Sequence, residues 1–131
     1  LSGGFAVIKD IYKTLLYDLG KQRNKQAGWD LIPNSILERE PSPELKPDQK
    51  ASDTLPPYSV LDPILKCYVE QDMSPHEIIE LGFEESVVRD VIRRVDRSEY
   101  KRRQAPPGIK VTPRAFGRDR RIPITNDYQD P

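Results

Sequence analysis

At 131 residues the chain is long enough for one small domain, yet only 36% of it is hydrophobic, 32% is charged and thirteen residues are proline, a poor supply of core for an independent fold. A formal net charge of zero excludes a whole-chain electrostatic attraction to nucleic acid or membrane, and a single cysteine excludes an intrachain disulfide and any multi-cysteine zinc site. No apolar run could span a bilayer and no signal peptide is present, so a cytoplasmic protein without a membrane partner is expected. The apolar residues fall in short clusters between proline-rich connections, and the chain starts at Leu1 rather than at a methionine. It therefore reads as part of a larger fold, or as a domain completed by a partner.

Ser2-Gly3-Gly4 reads as a plain loop entering a buried segment, Phe5-Ala6-Val7-Ile8. Asp10 is placed to cap a helix running to about Leu19, with Ile11, Leu15 and Leu19 on one face and Tyr12 and Leu16 flanking. Gly20 offers a stop, although Lys21 to Gln26 can extend the helix as a polar, fraying turn. Lys13 lies in the first turn, off the apolar stripe. It is either solvated or a charge set beside a helix N-terminus that attracts anions. Trp29, Leu31 and Ile32 are candidates for burial in the following loop, and Asn34 is placed to cap a short turn over Ser35 to Arg39.

From Glu44 to Pro57 there is almost nothing to bury, and such a segment is either functional or disordered. Tyr58, Leu61, Leu65 and Tyr68 then have helical spacing, interrupted by Pro63. The expected solution is a first turn at Tyr58 to Leu61, with Asp62 as cap and Pro63 opening the main helix to about Gln71. Cys67 and Val69 belong to that helix, and Cys67, with no base nearby, is expected to pack. Ser74-Pro75-His76-Glu77 is a capping box with proline in the first helical position, followed by Ile78, Ile79 and Leu81 on the buried side and a stop at Gly82. His76 has no neighbouring ligand set and is expected at the surface. A last helix is expected from Glu85 to Arg102, with Val88, Val91, Ile92 and Val95 as its stripe.

Beyond that helix the chain turns cationic. Between Glu84 and Arg121 there are twelve Lys/Arg against six Asp/Glu. Ile109, Val111, Phe116, Ile122 and Ile124 punctuate the tail, so it is expected to lie against something. One reading is a non-enzymatic helical module whose tail, Lys101 to Arg121, binds nucleic acid. Only Tyr100 and Phe116 could stack on bases, and the basic residues sit at a helix C-terminus, whereas base-reading helices present their N-terminal residues.

A second reading comes from Lys46-Pro47-Asp48-Gln49, Leu55-Pro56-Pro57-Tyr58-Ser59-Val60-Leu61-Asp62, and Glu99-Tyr100-Lys101-Arg102-Arg103-Gln104-Ala105-Pro106-Pro107-Gly108. With Gly3-Gly4-Phe5-Ala6-Val7-Ile8-Lys9-Asp10 and the run from Ile109 to Arg121, these segments resemble glutamine-dependent NAD synthetase, in order and over essentially the whole chain. In that family a carbon–nitrogen hydrolase domain releases ammonia from glutamine. A synthetase domain of the adenine-nucleotide α-hydrolase type, a Rossmann-like α/β fold, adenylates deamido-NAD with ATP and Mg²⁺, and ammonia displaces AMP to give NAD.

The resemblance implies that residues 1–131 are the C-terminal, mainly α-helical segment of the synthetase domain, without the ATP loop and the glutaminase domain. Residues 44–57 would be a mobile substrate loop and 104–131 an irregular tail. Tyr100 and Lys101 match the pair that holds deamido-NAD, with His-Lys in the single-domain enzymes. Lys13 matches a lysine that approaches substrate phosphates. Ser42 matches a hydroxyl near the ATP phosphates at the start of the substrate loop, and Ser52 and Asp53 lie further along it. No catalytic residue and no metal ligand is assigned within the chain. The implied partners are deamido-NAD, ATP, ammonia, the rest of the synthetase and glutaminase domains, and further copies in a homo-oligomer, with no nucleic acid. The chain alone is expected to be inactive.

Overall fold

A computed structural model describes residues 4–39 and 55–125. All regular structure among them is helical: α1 (Lys13–Ala27), α2 (Asn34–Leu37), α3 (Tyr58–Leu65), a π-helical turn (Lys66–Glu70), α4 (Pro75–Glu80), α5 (Glu85–Arg97) and α6 (Glu99–Gln104). The chain divides into two compact units, Leu1–Ile11 with Pro63–Pro131, and Tyr12–Asp62.

In the Tyr12–Asp62 unit, α1 starts two residues later than the sequence suggests, because its cap is not Asp10. The cap residue is Tyr12, whose side chain makes no capping hydrogen bond to the helix. Instead Asp62, buried in α3, accepts a hydrogen bond from Thr14 N at 2.8 Å and satisfies one of the orphan amides of the first turn. The helix runs past Gly20 to Gly28, whose φ of 74° makes the left-handed stop. Gly20 serves packing rather than termination. A Cβ there would lie 2.7 Å from Leu37 Cδ2, so its absence lets α2 approach α1. Asn24 grips the loop between them, accepting from Ile32 N and donating to Ile32 O, both at 2.8 Å. Asn34 is the first residue of α2 rather than its cap, a position held by Pro33. The burial expected of Leu15, Leu19, Trp29 and Leu31 is not observed; all four are exposed.

The other unit holds the core. Ile64, Val69, Ile78, Val88, Val91, Ile92 and Val95 are buried, as the stripes of α4 and α5 require. α4 opens with the full capping box: Glu77 N donates to Ser74 Oγ, and Ser74 N to Glu77 Oε2 at 2.7 Å. Gly82, at φ 97°, ends it, but Leu81 is exposed. His76 is at the surface beside Glu80, 3.3 Å away. Two expected boundaries are corrected. Pro63 sits inside a continuous α3, and the i→i+5 turn Lys66–Glu70 follows, so Asp62 opens no new helix. The helix expected from Glu85 to Arg102 breaks at Ser98. There Val95 O accepts from Ser98 N at 3.1 Å and from Arg102 Nη1 at 2.6 Å, so a guanidinium takes the place that the next helical amide would fill.

Residues 105–125 form no regular element, yet they are tied down at each stage. Ala6 N donates to Pro107 O at 2.8 Å and Lys9 Nζ to Pro106 O at 2.6 Å. Asp10, nearly buried, accepts from Val111 N (2.7 Å), Thr112 N (2.9 Å) and Thr112 Oγ1 (2.9 Å). Burial pushes its carboxyl up, but these donors outweigh that and hold it below the usual carboxylate range. Phe5, Val7 and Ile8, expected in the core, are exposed: this segment is held by backbone and carboxylate hydrogen bonds.

The approach is close enough at Gly108 to be tested. A Cβ there would lie 2.3 Å from Ala6 O and 2.9 Å from the Lys9 stem. Gly108→Ala is expected to part the two segments at a cost of about 1–3 kcal/mol, seen as faster hydrogen exchange at the Ala6 amide. An unchanged rate at Ala6 would show that the backbone relaxes around the methyl group.

Candidate functional site

The site begins with α6. Six residues are too few to hold a helix in water, Ser98 gives it no side-chain cap, and it buries only Glu99 and Arg102. Its anchor is therefore ionic. Glu99, 1% exposed, accepts at Oε2 from Arg102 Nε (3.2 Å) and Nη2 (2.9 Å), and at Oε1 from Arg103 Nε (3.0 Å) and Arg121 Nη1 (3.2 Å). Arg102 also lies over the Phe116 ring, 5.1 Å from its centroid. Burial alone would raise the Glu99 carboxyl; Arg103, Arg102 and Arg121 outweigh it and hold the pKa down at about 2.

At about 100° per residue, the face opposite Glu99 carries Tyr100 and Lys101. Both are exposed, and the ammonium of Lys101 lies 5.8 Å from the Tyr100 ring centroid. Arg102 and Arg103 are committed to Glu99, which leaves Lys101 as the cation of α6 with no carboxylate partner among the described residues. Tyr100 also borders an open cleft of about 560 Å³ lined by Asp90, Arg93, Arg94, Arg97 and Ser98. Within it Asp90 holds Arg93 and Arg94 at 2.6 Å each.

Most of the other basic residues of the tail are also held by carboxylates. Asp72, itself at φ 58°, pairs with Arg114 (2.6 Å) and Arg120 (2.8 Å), and their guanidiniums hold its carboxyl below the usual range. Arg120 stacks on Tyr68, 3.7 Å from the ring centroid, and donates to Tyr68 O. The Tyr68 hydroxyl donates to Asp96 at 2.9 Å. Burial, joined by Asp96 and opposed by Arg120, pushes the phenol up to about 12. Lys110 pairs with Asp119 at 2.5 Å. With Arg102, Arg103, Lys110, Arg114, Arg120 and Arg121 oriented toward Glu99, Asp72 and Asp119, fewer of the tail's cations are free to follow a phosphate backbone.

Of the other sequence-assigned positions, Lys13 is the first residue of α1, exposed, in the Tyr12–Asp62 unit. Its helix N-terminus already holds an anion, the Asp62 carboxylate on Thr14 N. Ser42, Ser52 and Asp53, with most of the 44–57 loop, lie outside the described residues. Glu99, Arg102 and Asp72 are residues that sequence reasoning assigned no part, and Asp10 was read as a helix cap. Only the Glu99–Arg102–Arg103 spacing of i, i+3, i+4 was there to be read. Among the described residues, no group of three His, Cys, Asp or Glu side chains could hold a metal ion, and no helix is long and apolar enough to cross a membrane.

Comparison with known proteins places these elements in a family. Residues 1–105 match the model of NAD synthase. The glutamine-dependent NAD(+) synthetase of Acinetobacter baylyi is 51% identical over 97% of this chain and 24% of its own length, and that of Thermotoga maritima is 47% identical over 100% of this chain and 23% of its own. A solved structure of glutamine-dependent NAD+ synthetase from Acinetobacter baumannii, in complex with adenosine diphosphate, matches 98% of this chain and 22% of its own, with 44% identity and a TM-score of 0.56. The chain thus spans about a quarter of the length of the relatives it matches. With the family model covering residues 1–105, the chain belongs to the NAD synthase family.

Proposed function

We infer that this chain forms part of the synthetase machinery of a glutamine-dependent NAD synthetase, within the larger α/β synthetase domain. The observation that carries the reading is the outer face of α6, where Tyr100 and an ammonium with no carboxylate partner among the described residues stand exposed while the neighbouring guanidiniums turn to Glu99. A compact cation beside an aromatic ring suits a dinucleotide that carries phosphates and a free carboxylate. ATP enters with Mg²⁺ as a substrate complex. A carboxylate oxygen of deamido-NAD attacks the α-phosphorus, and pyrophosphate leaves. Ammonia, released from glutamine elsewhere in the protein, attacks the acyl carbon, AMP departs, and the nitrogen loses a proton to give the amide.

Lys101, with Tyr100 beside it, holds deamido-NAD. Lys13 and the hydroxyl of Ser42 serve the phosphates, where cations offset the repulsion between two polyanions and stabilise charge on the departing pyrophosphate. Ser52 and Asp53 belong to the loop that shields the acyl-adenylate from water. The nucleic-acid alternative is disfavoured by the pairing of the tail's basic residues.

The test compares the full-length protein with the chain alone. Given deamido-NAD, Mg·ATP and ammonia, the full-length protein is expected to form NAD, AMP and pyrophosphate in equal amounts, and the 131-residue chain none above a blank. Turnover by the chain alone would overturn the division of parts. Failure of the full-length protein to form NAD would overturn the reading itself.

A further inference from the structure

We propose that Arg121 and Glu99 are positioning residues for Lys101, so that the irregular tail sets the affinity of the α6 face for its substrate. The proposal rests on the reading of Lys101 as a deamido-NAD contact. α6 is six residues long, lacks a side-chain cap and makes its anchor through one carboxylate. Two of the three guanidiniums on Glu99, those of Arg102 and Arg103, come from α6 itself and cannot fix the helix against anything outside it through that carboxylate. Arg121 comes from 22 residues along the chain, and its own surroundings are tethered: Arg120 is held to Asp72 and stacked on Tyr68.

The Arg121–Glu99 bond therefore fixes α6 against the rest of its unit, together with the Arg102–Val95 bond and the Arg102–Phe116 contact. Lys101 lies about 200° round the helix from Glu99, so a rotation of the helix about its axis that loosens Glu99 swings the ammonium off its target. Arg121 is about half exposed and Glu99 keeps Arg102 and Arg103 without it. Its loss should thus shift α6 without unfolding it.

The experiment uses the full-length enzyme with Arg121→Ala, Arg121→Lys, Lys101→Ala and the double variant Lys101→Ala/Arg121→Ala. Initial rates are measured against deamido-NAD at saturating Mg·ATP and ammonia, with glutamine hydrolysis and thermal unfolding followed alongside. Arg121→Ala is expected to raise KM for deamido-NAD about fivefold, with kcat and glutamine hydrolysis within twofold of wild type. Arg121→Lys, which can still donate to Glu99 Oε1, should recover most of the loss. The double variant should be no worse than Lys101→Ala alone, because a residue acting through Lys101 has no effect once the ammonium is gone.

A KM unchanged by Arg121→Ala, or two effects that multiply in the double variant, would overturn the positioning role while leaving Lys101 in the site. A fall in kcat and unfolding temperature at constant KM would mark Arg121 as purely structural and overturn it equally. Normal kinetics for Lys101→Ala would remove the reading on which the proposal rests.

Discussion

In the full-length enzyme, Lys101→Ala is expected to raise the barrier to deamido-NAD use by about 1.5–3 kcal/mol, roughly a 10- to 150-fold loss in kcat/KM, with glutamine hydrolysis unchanged. The expectation follows from what Lys101 lacks. Every other cation of α6 has a carboxylate within hydrogen-bond reach, whereas Lys101 has none among the described residues and can be spent on a ligand. The effect divides between KM and kcat according to how much the contact strengthens as negative charge moves toward the departing pyrophosphate. Lys101→Arg should rescue it poorly, because a planar fork does not present its charge as a compact ammonium does. Steady-state kinetics with deamido-NAD varied at saturating Mg·ATP and ammonia decide the matter. Unchanged constants in a folded variant would place Lys101 in solvent.

Glu99→Gln should produce the largest loss of local stability, about 3 kcal/mol. Removing one partner of a buried ion pair leaves the other uncompensated, at about 3–5 kcal/mol, and here Arg102 is 7% exposed. The lower end applies because Arg103 and Arg121 are about half exposed, where water already screens their charge. The measurement is hydrogen exchange at the α6 amides in the full-length protein, which should quicken by roughly a hundredfold through local opening. The same carboxylate predicts an acid limit. Its folded pKa of about 2 lies below the ordinary glutamate value of 4.5, so its contribution is complete above about pH 4.5. It is lost as pH falls through that window toward 2. Protection of α6 that stays constant from pH 6 to pH 3, after correction for the intrinsic exchange rate, would contradict the assignment.

The parts of this fold that were legible in the sequence are those written in neighbouring residues. The capping box at Ser74 and the Val88–Val95 stripe need only offsets of three and four, and the structure shows both. What was hidden depends on partners far along the chain. Asp10 precedes a helix and has the chemistry of its cap, yet it holds Thr112, 102 residues on. Asp62 has the place of a cap before Pro63, yet it closes the first turn of α1, 48 residues back. Any aspartate can accept from any amide, so local reading assigns it to the nearest helix. The break at Ser98 was hidden for a related reason, since it depends on where a long guanidinium folds back.

The candidate site divides along the same line. Tyr100 and Lys101 were legible as motif residues, and their exposure follows from the period of α6. The commitment of Arg114, Arg120 and Arg121 to Asp72 and Glu99 was not, because a run of arginines has the same composition whether it is solvated, bound to an anion or paired internally.

The Asp10–Thr112 clasp also fixes an order of events in synthesis. Closing a loop of about 100 residues costs about 4 kcal/mol in chain entropy beyond a constant, so the clasp is not the contact that starts folding. At about 5–20 residues per second on the ribosome, Asp10 emerges roughly 5–20 s before Thr112. In that interval Ala6, Lys9 and Asp10 lack the tail partners that later hold this segment, and the helices between must form without it secured. A ribosome stalled before Thr112 would hold a chain whose helices can form but whose clasp cannot.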